Sequence, residues 1–183
     1  MRVAAGRIGQ MLNQSELGRT VGLPQPTVHR YLNLMETSYM LIRLPAYAVN
    51  RTKRLVRTPK LYWGDTGLAL HLAGQSDPDG RHLENLILGD LMASHDTGAP
   101  IDEICYWRTS DGAEVDFVLE SGSRLLPLEI KSSATPRVRD CKGMESFLNE
   151  YPDSSGHGIL IHTGEELRWL TPRVLVMPWW RVK

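Results

Sequence analysis

Two carboxylates and a lysine, Asp116, Glu129 and Lys131, form the part of this sequence that is best suited to chemistry. They lie within residues 112–133, where polar and apolar residues alternate with a period of two on both sides of a Ser-Gly-Ser-Arg break. That period predicts two half-buried strands joined as a hairpin. Glu129 and Lys131, two residues apart on one strand, would point to the same face of the sheet.

The register of this hairpin decides which charges meet. A four-residue loop at residues 121–124 pairs Glu120 with Leu125 and therefore places Asp116 opposite Glu129. Residues directly opposite one another have Cβ atoms about 4.5–5.5 Å apart, and like charges so placed repel unless something neutralises them. A hard divalent cation such as Mg²⁺ would neutralise them, since it takes one or two carboxylates and keeps several waters.

An acid on one strand, followed on the next by acid, any residue and lysine, is typical of metal-dependent phosphodiesterases. In such sites the metal polarises a phosphoryl oxygen and generates hydroxide, while the lysine orients that water or offsets charge on the phosphate. A simpler interpretation also fits, because Glu-x-Lys is a common pattern and Glu114 would lie opposite Lys131. The two would then form a surface ion pair that contributes about 0–1 kcal/mol. On spacing alone, both interpretations stay open.

The composition describes a globular protein whose charge is unevenly distributed. The chain has 183 residues, 42% hydrophobic and 23% charged, which is long enough for one large domain or two small ones. Residues 1–63 carry ten Lys and Arg against two Asp and Glu, whereas residues 64–183 carry eleven against nineteen. The basic part favours a polyanion as partner, and the acidic part suits metal binding.

Several classes of protein do not fit the sequence. No apolar run approaches the roughly 18–20 residues of a membrane span, and the N-terminus lacks the apolar region of a signal peptide, so we expect a cytoplasmic protein without a membrane partner. Cys105 and Cys141 match no metal-ligand spacing and are expected to be buried thiols. Walker, Gly-x-Ser-x-Gly and His-Glu-x-x-His motifs do not occur, so no nucleotide site is expected in this chain.

The basic part predicts a winged helix-turn-helix domain over residues 1–75. A short helix is predicted over residues 3–12, and Asn13 or Ser15 could cap a second helix. A glycine-containing turn follows, and Pro26 is well placed at the first position of a third helix. Two short helices joined by such a turn are typical of a helix-turn-helix.

Two further strands, at residues 40–44 and 60–63, would bracket a basic loop that forms the wing. The residues expected to contact base edges or phosphates are Gln25, Thr27, His29, Arg30, Arg51, Lys53 and Arg54. The same fold also serves in other proteins as a connector that contacts protein, and this alternative stays open. A Gly-, Pro- and Asp-containing stretch at residues 74–80 is the predicted linker to the second domain.

Residues 81–183 predict an α/β (α+β) domain. A helix over residues 82–94, three strands, a helix over residues 137–151 and a strand at residues 158–162 give the order α-βββ-α-β. The last strand is apolar and is expected to be internal and parallel, and the tail is expected to add a strand. Glu84 is either a helix-start acid stabilised by the helix dipole or a further acid directed at the metal site.

Several phrases of the sequence together resemble one family. These phrases are Thr27-Val28-His29-Arg30-Tyr31-Leu32, Pro59-Lys60-Leu61-Tyr62 with Asp65-Thr66-Gly67-Leu68, Leu83-Glu84-Asn85, Tyr106-Trp107-Arg108, Glu114-Val115-Asp116-Phe117 and Glu129-Ile130-Lys131-Ser132-Ser133. In this order, over nearly the whole chain, they resemble the C-terminal part of the prokaryotic AAA-type ATPases that carry a DUF4143 region. In that family an ATPase domain precedes a winged helix, and the DUF4143 region is similar to the restriction-endonuclease-like PD-(D/E)xK nuclease fold.

The resemblance implies a role for each of four residues. It makes Asp116 and Glu129 ligands of Mg²⁺ or Mn²⁺, Lys131 the lysine that orients water or faces phosphate, and Glu84 the acid of the first helix. Val115 precedes Asp116 where the motif has proline, a position that is commonly relaxed. The chain begins just before the helix-turn-helix, so we expect it to lack the ATPase domain.

The resulting prediction is a DNA-binding winged helix fused to a metal-dependent nuclease-like domain. An ATPase domain or a second copy of the chain would be a further partner. The competing prediction is a non-catalytic regulatory or protein-interaction module of an ATPase, in which the nuclease-like fold only recognises a partner.

Overall fold

A computed structural model describes residues 1–47 and 58–182 of the chain. Helices and strands are mixed along it, which confirms the predicted α+β class. The described residues divide into two compact units: residues 1–44 and 58–89 form unit 1, and the others form unit 2. Among the described helices, none combines the length and the apolar composition that crossing a membrane requires.

Unit 1 is built from helices and a three-stranded sheet. Its elements are α1 (Arg2–Ala5), β1 (Gln10–Met11), α2 (Gln14–Val21), α3 (Gln25–Thr37), β2 (Leu41–Leu44), β3 (Lys60–Trp63), α4 (Thr66–Ala73) and the first part of α5 (Gly80–Asp96). The strand order is β1-β3-β2, and both pairs are antiparallel. The central strand, β3, is buried along its whole length, so it is the strand around which unit 1 is assembled.

The start of the chain differs from the helix predicted over residues 3–12. Helix α1 ends at Ala5, and Gly9 has a φ of +70°, a conformation that glycine adopts readily and that interrupts a helix. The next two residues form β1 and pair with β3. Asn13, one of the two predicted caps, accepts a hydrogen bond from the backbone N–H of Glu16 at 3.0 Å and so caps α2.

Unit 2 is built around a six-stranded sheet. Its strands and helix are β4 (Glu103–Arg108), β5 (Glu114–Ser121), β6 (Arg124–Lys131), α6 (Lys142–Glu150), β7 (Gly158–His162), β8 (Arg168–Thr171) and β9 (Val174–Pro178). The strand order is β4-β5-β6-β7-β9-β8. Strand β7 is parallel to both neighbours, which confirms the prediction of an internal parallel strand.

The order of elements from α5 to β7 is the predicted helix, three strands, helix and strand. Two details differ. The helix predicted over residues 137–151 is a 3-10 turn, Val138–Cys141, followed by the shorter α6. The tail supplies two strands, β8 and β9, where one was predicted. The likeness to a nuclease fold and the winged-helix assignment stay predictions.

The β5–β6 hairpin has the predicted register, because Glu120 pairs with Leu125. The predicted four-residue loop is wrong, since Ser121 and Arg124 still pair and only two residues form the turn. Gly122 makes this tight turn possible with a φ of +57°. Two-residue hairpin turns of this kind require positive φ values.

One face of this sheet is covered by α6. Phe147 packs edge-on against Trp107, with ring centroids 5.4 Å apart, and the same cluster contains Tyr47 and Cys105. A second cluster beneath α6 contains Cys141. Both cysteines are buried and reduced, as predicted.

Candidate metal and nucleic-acid sites

Asp116 lies where the β5–β6 ladder ends. Phe117 and Leu128 are the last paired residues toward this end. One step further, the Oδ2 atom of Asp116 accepts the backbone N–H of Ile130 at 2.9 Å. The carboxylate therefore takes the place of a strand partner, and the same register, continued by one residue, puts Asp116 across from Glu129.

Glu129 already has a cation beside it. Glu129 is 8% exposed, and its Oε1 atom lies 2.5 Å from the ammonium nitrogen of Lys131. The sequence predicted repulsion between Glu129 and Asp116 that a bound divalent cation would relieve. In the structure, Lys131 supplies positive charge at the same place.

Lys131 is held in its charged form. Burial alone would lower the pKa of its ammonium group, but the carboxylates of Glu129, Asp116 and Asp140 raise the pKa above its ordinary value. Neutral Lys131 is therefore scarce at physiological pH, and the side chain is a poor general base. It suits the role of a positioned cation and hydrogen-bond donor.

Glu114 forms an ion pair with the neighbouring strand. Its Oε2 atom lies 2.8 Å from Nη1 of Arg108, and the two residues are paired between β4 and β5. The simpler interpretation of the sequence paired Glu114 with Lys131. In the structure, Glu114 pairs with Arg108, and Lys131 pairs with Glu129.

Glu84 has partners within unit 1. It accepts a hydrogen bond from the hydroxyl of Tyr62 and lies 3.5 Å from the ammonium of Lys60. Lys60 is 2% exposed, so this is a buried charge next to a carboxylate. Sequence analysis missed Lys60 and Tyr62, since an alternating strand pattern does not reveal that a lysine will be buried. The predicted catalytic role of Glu84 stays a prediction.

Asn85, the next residue of α5, ties that helix to β3. Its side chain accepts from the backbone N–H of Trp63 at 2.7 Å and donates to the carbonyl oxygen of Trp63 at 3.0 Å. It also donates to the hydroxyl of Thr66 at 2.8 Å. A buried amide that satisfies both backbone groups of one residue fixes α5 against β3, and thereby fixes Glu84 beside Lys60.

The predicted DNA-contacting residues of unit 1 lie on α3. Gln25, His29 and Arg30 are exposed, and Thr27 is half-buried. The three predicted wing residues, Arg51, Lys53 and Arg54, lie outside the described residues. The α3 side chains are accessible to a ligand, and DNA contact by all seven residues stays a prediction.

An apolar groove of about 570 Å³ lies beside these residues, between α1, α2 and α3. Its most exposed apolar members are Met1, Val21, Tyr31 and Leu34. Tyr31 and Leu34 also border a second hollow together with Arg30. The accessible side of α3 is therefore apolar along part of its length and basic along another part.

The donor atoms of Asp116 and Glu129 determine which metal ion could bind there. In the part of the chain that the structure describes, no three His, Cys, Asp or Glu side chains come together in a group that could hold a metal. Asp116 and Glu129 supply two carboxylates, without the nitrogen or sulfur donors that zinc prefers. Such a pair suits a hydrated Mg²⁺ or Mn²⁺ ion, whose remaining positions are filled by water or phosphate oxygens.

Family models match both parts of the chain. Residues 79–182 match a domain of unknown function, DUF4143, and residues 1–79 match another, DUF8612. The chain belongs to the DUF4143 family. The matched DUF4143 segment includes Asp116, Glu129 and Lys131, so the DUF4143 part of the predicted resemblance is confirmed.

Three curated relatives of this DUF4143 protein bear the name uncharacterized protein. One from Mycobacterium tuberculosis and one from Mycobacterium bovis are each 31% identical over 178 residues, which cover 93% of the chain and 38% of the relative. One from Haemophilus influenzae is 24% identical over 132 residues, or 69% of the chain and 31% of the relative. The chain thus spans well under half the length of these relatives. No solved structure matches it.

Proposed function

We propose that this DUF4143 protein binds DNA and hydrolyses phosphodiester bonds at Asp116 and Glu129, with Mg²⁺ or Mn²⁺ as cofactor and Lys131 as the assisting cation. One observation carries the proposal. Where the β5–β6 ladder ends, Asp116 accepts the N–H of Ile130, and Glu129 and Lys131 lie together on the next strand. An ATPase domain, as in the AAA-type family that the sequence resembles, is the proposed partner.

Each residue has a chemical task in this proposal. The bound ion would polarise the phosphoryl oxygen and lower the pKa of a water molecule. Asp116 and Glu129 hold the ion, and the backbone hydrogen bond to Ile130 fixes the orientation of the Asp116 carboxylate. Lys131, charged at physiological pH, offsets the negative charge that develops on the phosphate.

Replacing Asp116 with asparagine is expected to abolish binding of Mn²⁺ and Mg²⁺. The amide oxygen can still accept the N–H of Ile130, so the hairpin keeps its geometry while the ligand charge is lost. Calorimetric titration of each ion into both proteins measures the effect. Asp153→Asn, the same change at an exposed position of unit 2, is the matched control and should leave metal binding unchanged. Equal metal affinity of Asp116→Asn and the wild type would show that Asp116 is not a metal ligand and would contradict the proposed site.

DNA binding is expected to weaken steeply as salt increases, because the basic residues displace counterions from phosphates. Combined replacement of Arg30, Arg51, Lys53 and Arg54 by alanine should weaken binding to all sequences about equally. It should also reduce the slope of log affinity against log salt by about one for each phosphate that is no longer neutralised. Fluorescence anisotropy at several salt concentrations measures both, with Arg81→Ala as a control in unit 1. Binding that is insensitive to salt and to these substitutions would leave unit 1 as a connector.

A second candidate function is a regulatory or protein-interaction module of an ATPase, without catalysis. The apolar groove favours it, since Tyr31 and Leu34 expose apolar surface on the helix that would contact DNA. A protein surface, more than a phosphate backbone, would bury such side chains favourably. Metal binding without cleavage of DNA or RNA, in a protein that includes the ATPase domain, would favour this second function.

A further inference from the structure

A pocket of about 290 Å³, open to solvent, lies directly after the end of β6 in unit 2. Its lining combines three hydroxyl side chains and three cations, namely Lys131, Ser132, Ser133, Thr135, Arg137 and Arg139, together with one carboxylate. It is termed the Lys131 pocket below. Lys131 belongs both to this pocket and to the carboxylate pair, so the pocket adjoins the candidate metal site.

The charged residues that line the pocket are mainly basic, whereas the part of the chain to which it belongs is acidic. Three cations and one carboxylate, Asp140, line the pocket, although residues 64–183 as a whole carry nineteen acidic against eleven basic residues. Of the three cations, Lys131 is paired with Glu129, which lies outside the lining. Asp140 is already engaged, since it accepts the backbone N–H of Arg137 at 2.8 Å and lies 3.9 Å from Nε of Arg139. Among the described residues, no carboxylate forms an ion pair with the guanidinium of Arg137. An anion in the pocket would therefore meet, at Arg137, a guanidinium whose charge no described ion pair offsets.

The wall of the pocket is fixed by backbone contacts. The N–H of Ser133 donates to the carbonyl of Lys131 at 2.8 Å, and its carbonyl accepts the N–H of Thr163 at 3.2 Å. A Cβ added at Gly164 would overlap the carbonyl oxygen of Ala134. The loop after β6 is thus packed tightly against the loop after β7. A ligand would therefore meet a loop whose backbone is already ordered, which reduces the entropy lost on binding.

The donors in the pocket define the chemical class of its ligand. Guanidinium and ammonium groups only donate hydrogen bonds, and the hydroxyl of Ser133 already accepts one from the N–H of Thr135 at 3.3 Å, leaving its hydrogen for a ligand. A ligand with several acceptor oxygens and negative charge satisfies such a set. Phosphate esters have both, and arginine binds them with paired hydrogen bonds.

We infer that the Lys131 pocket binds a phosphoryl group of a nucleic-acid strand, next to the phosphodiester that Asp116 and Glu129 address. This inference rests on the proposed function for its choice of nucleic acid. The phosphoryl group could be a terminal monoester or an internal diester. Both have the chemistry that the pocket recognises, and the experiment distinguishes them.

Backbone amide signals in a nuclear magnetic resonance titration report on the pocket directly. Short oligonucleotides with a 5′-phosphate or a 5′-hydroxyl end are added to the whole chain in EDTA, so that neither metal binding nor cleavage contributes. We expect the amide signals of Ser132, Ser133 and Thr135 to shift. A shift with the 5′-phosphate alone identifies the terminal monoester, and a shift with both identifies the internal diester. Unchanged signals with both oligonucleotides would overturn the inference.

Arg137→Ala is expected to weaken oligonucleotide binding in EDTA about tenfold, through loss of a charged hydrogen-bond donor to phosphate. Arg124→Ala is the matched control, since Arg124 is exposed at the opposite end of β6, roughly 23 Å away at about 3.3 Å per residue. Equal affinities of Arg137→Ala and the wild type would overturn the inference, as would equal weakening by Arg137→Ala and Arg124→Ala.

Failure of this inference differs from failure of the proposed function. If Asp116→Asn abolishes metal binding and the wild type cleaves DNA, but Arg137→Ala binds normally, only the pocket is refuted. If the wild type binds no metal but the pocket signals shift and Arg137→Ala weakens binding, the proposed catalysis fails and the phosphate pocket stands.

Discussion

Lys131→Ala is expected to slow DNA cleavage by about 10²–10³-fold, the usual loss when one positioned electrostatic group is removed from an active site. Metal affinity should stay the same or increase slightly. Lys131 supplies no ligand atom, and its ammonium, 2.5 Å from Glu129, competes with a divalent ion for that carboxylate. Cleavage rates under single-turnover conditions and calorimetric titration of Mn²⁺ measure the two quantities separately.

Lys142→Ala is the matched control for this experiment. Lys142 is an exposed lysine at the start of α6 in the same unit and does not line the Lys131 pocket, so its loss should change neither quantity. If the Lys131→Ala protein cleaves DNA as fast as the wild type, Lys131 has no role in catalysis. A protein that loses metal affinity and cleavage together would make Lys131 a structural residue that supports Glu129.

Gly143→Ala is expected to lower the free energy of unfolding by about 1–3 kcal/mol or more, as is typical of overpacking. Helix α6 crosses β5 so closely that a Cβ at position 143 would overlap the carbonyl oxygen of Glu114. The obstacle is backbone, which cannot rotate away as a side chain can. Because Glu114 precedes Asp116 by two residues, relief of the overlap should also displace the metal-binding carboxylate. Urea unfolding and Mn²⁺ titration measure the two effects.

Gly89→Ala is the same change in the middle of another helix. Apart from its chain neighbours and the backbone of its own helix, no described heavy atom lies within 4 Å of the position that its Cβ would occupy. The substitution should therefore be neutral or stabilise the protein by up to about 1 kcal/mol through helix propensity. If Gly143→Ala is as stable as Gly89→Ala, the close approach of α6 to β5 is wrong.

The hairpin shows what alternation along a sequence can predict. Two-residue periodicity determines which side chains share a face, and the predicted register, which pairs Glu120 with Leu125, keeps both apolar sets on their faces. The same pattern does not specify how many residues the turn contains. The prediction of four was wrong because Ser121 and Arg124 continue the ladder, and Gly122 with its positive φ closes a shorter turn.

Local sequence patterns predicted neither helix α4 nor the partners of Glu84. Residues 66–73 are mostly apolar without a clear helical period, although Asp65 offered a signal, since its side chain caps the helix by accepting the N–H of Leu68. The ion pair between Lys60 and Glu84 joins residues 24 positions apart. No local pattern encodes such a pair, because burial of the lysine depends on how β3 and α5 pack.

The two cysteines of unit 2 belong to different packed clusters. Cys105 lies in the cluster around Trp107 and Phe147, whereas Cys141 lies in the cluster that includes Met144. Burial raises the pKa of both thiols, that of Cys141 to about 11, so neither forms the reactive thiolate while its cluster is closed. Alkylation of each thiol therefore records how often its own cluster opens, and the natural sequence carries two separate probes of local unfolding beside the hairpin.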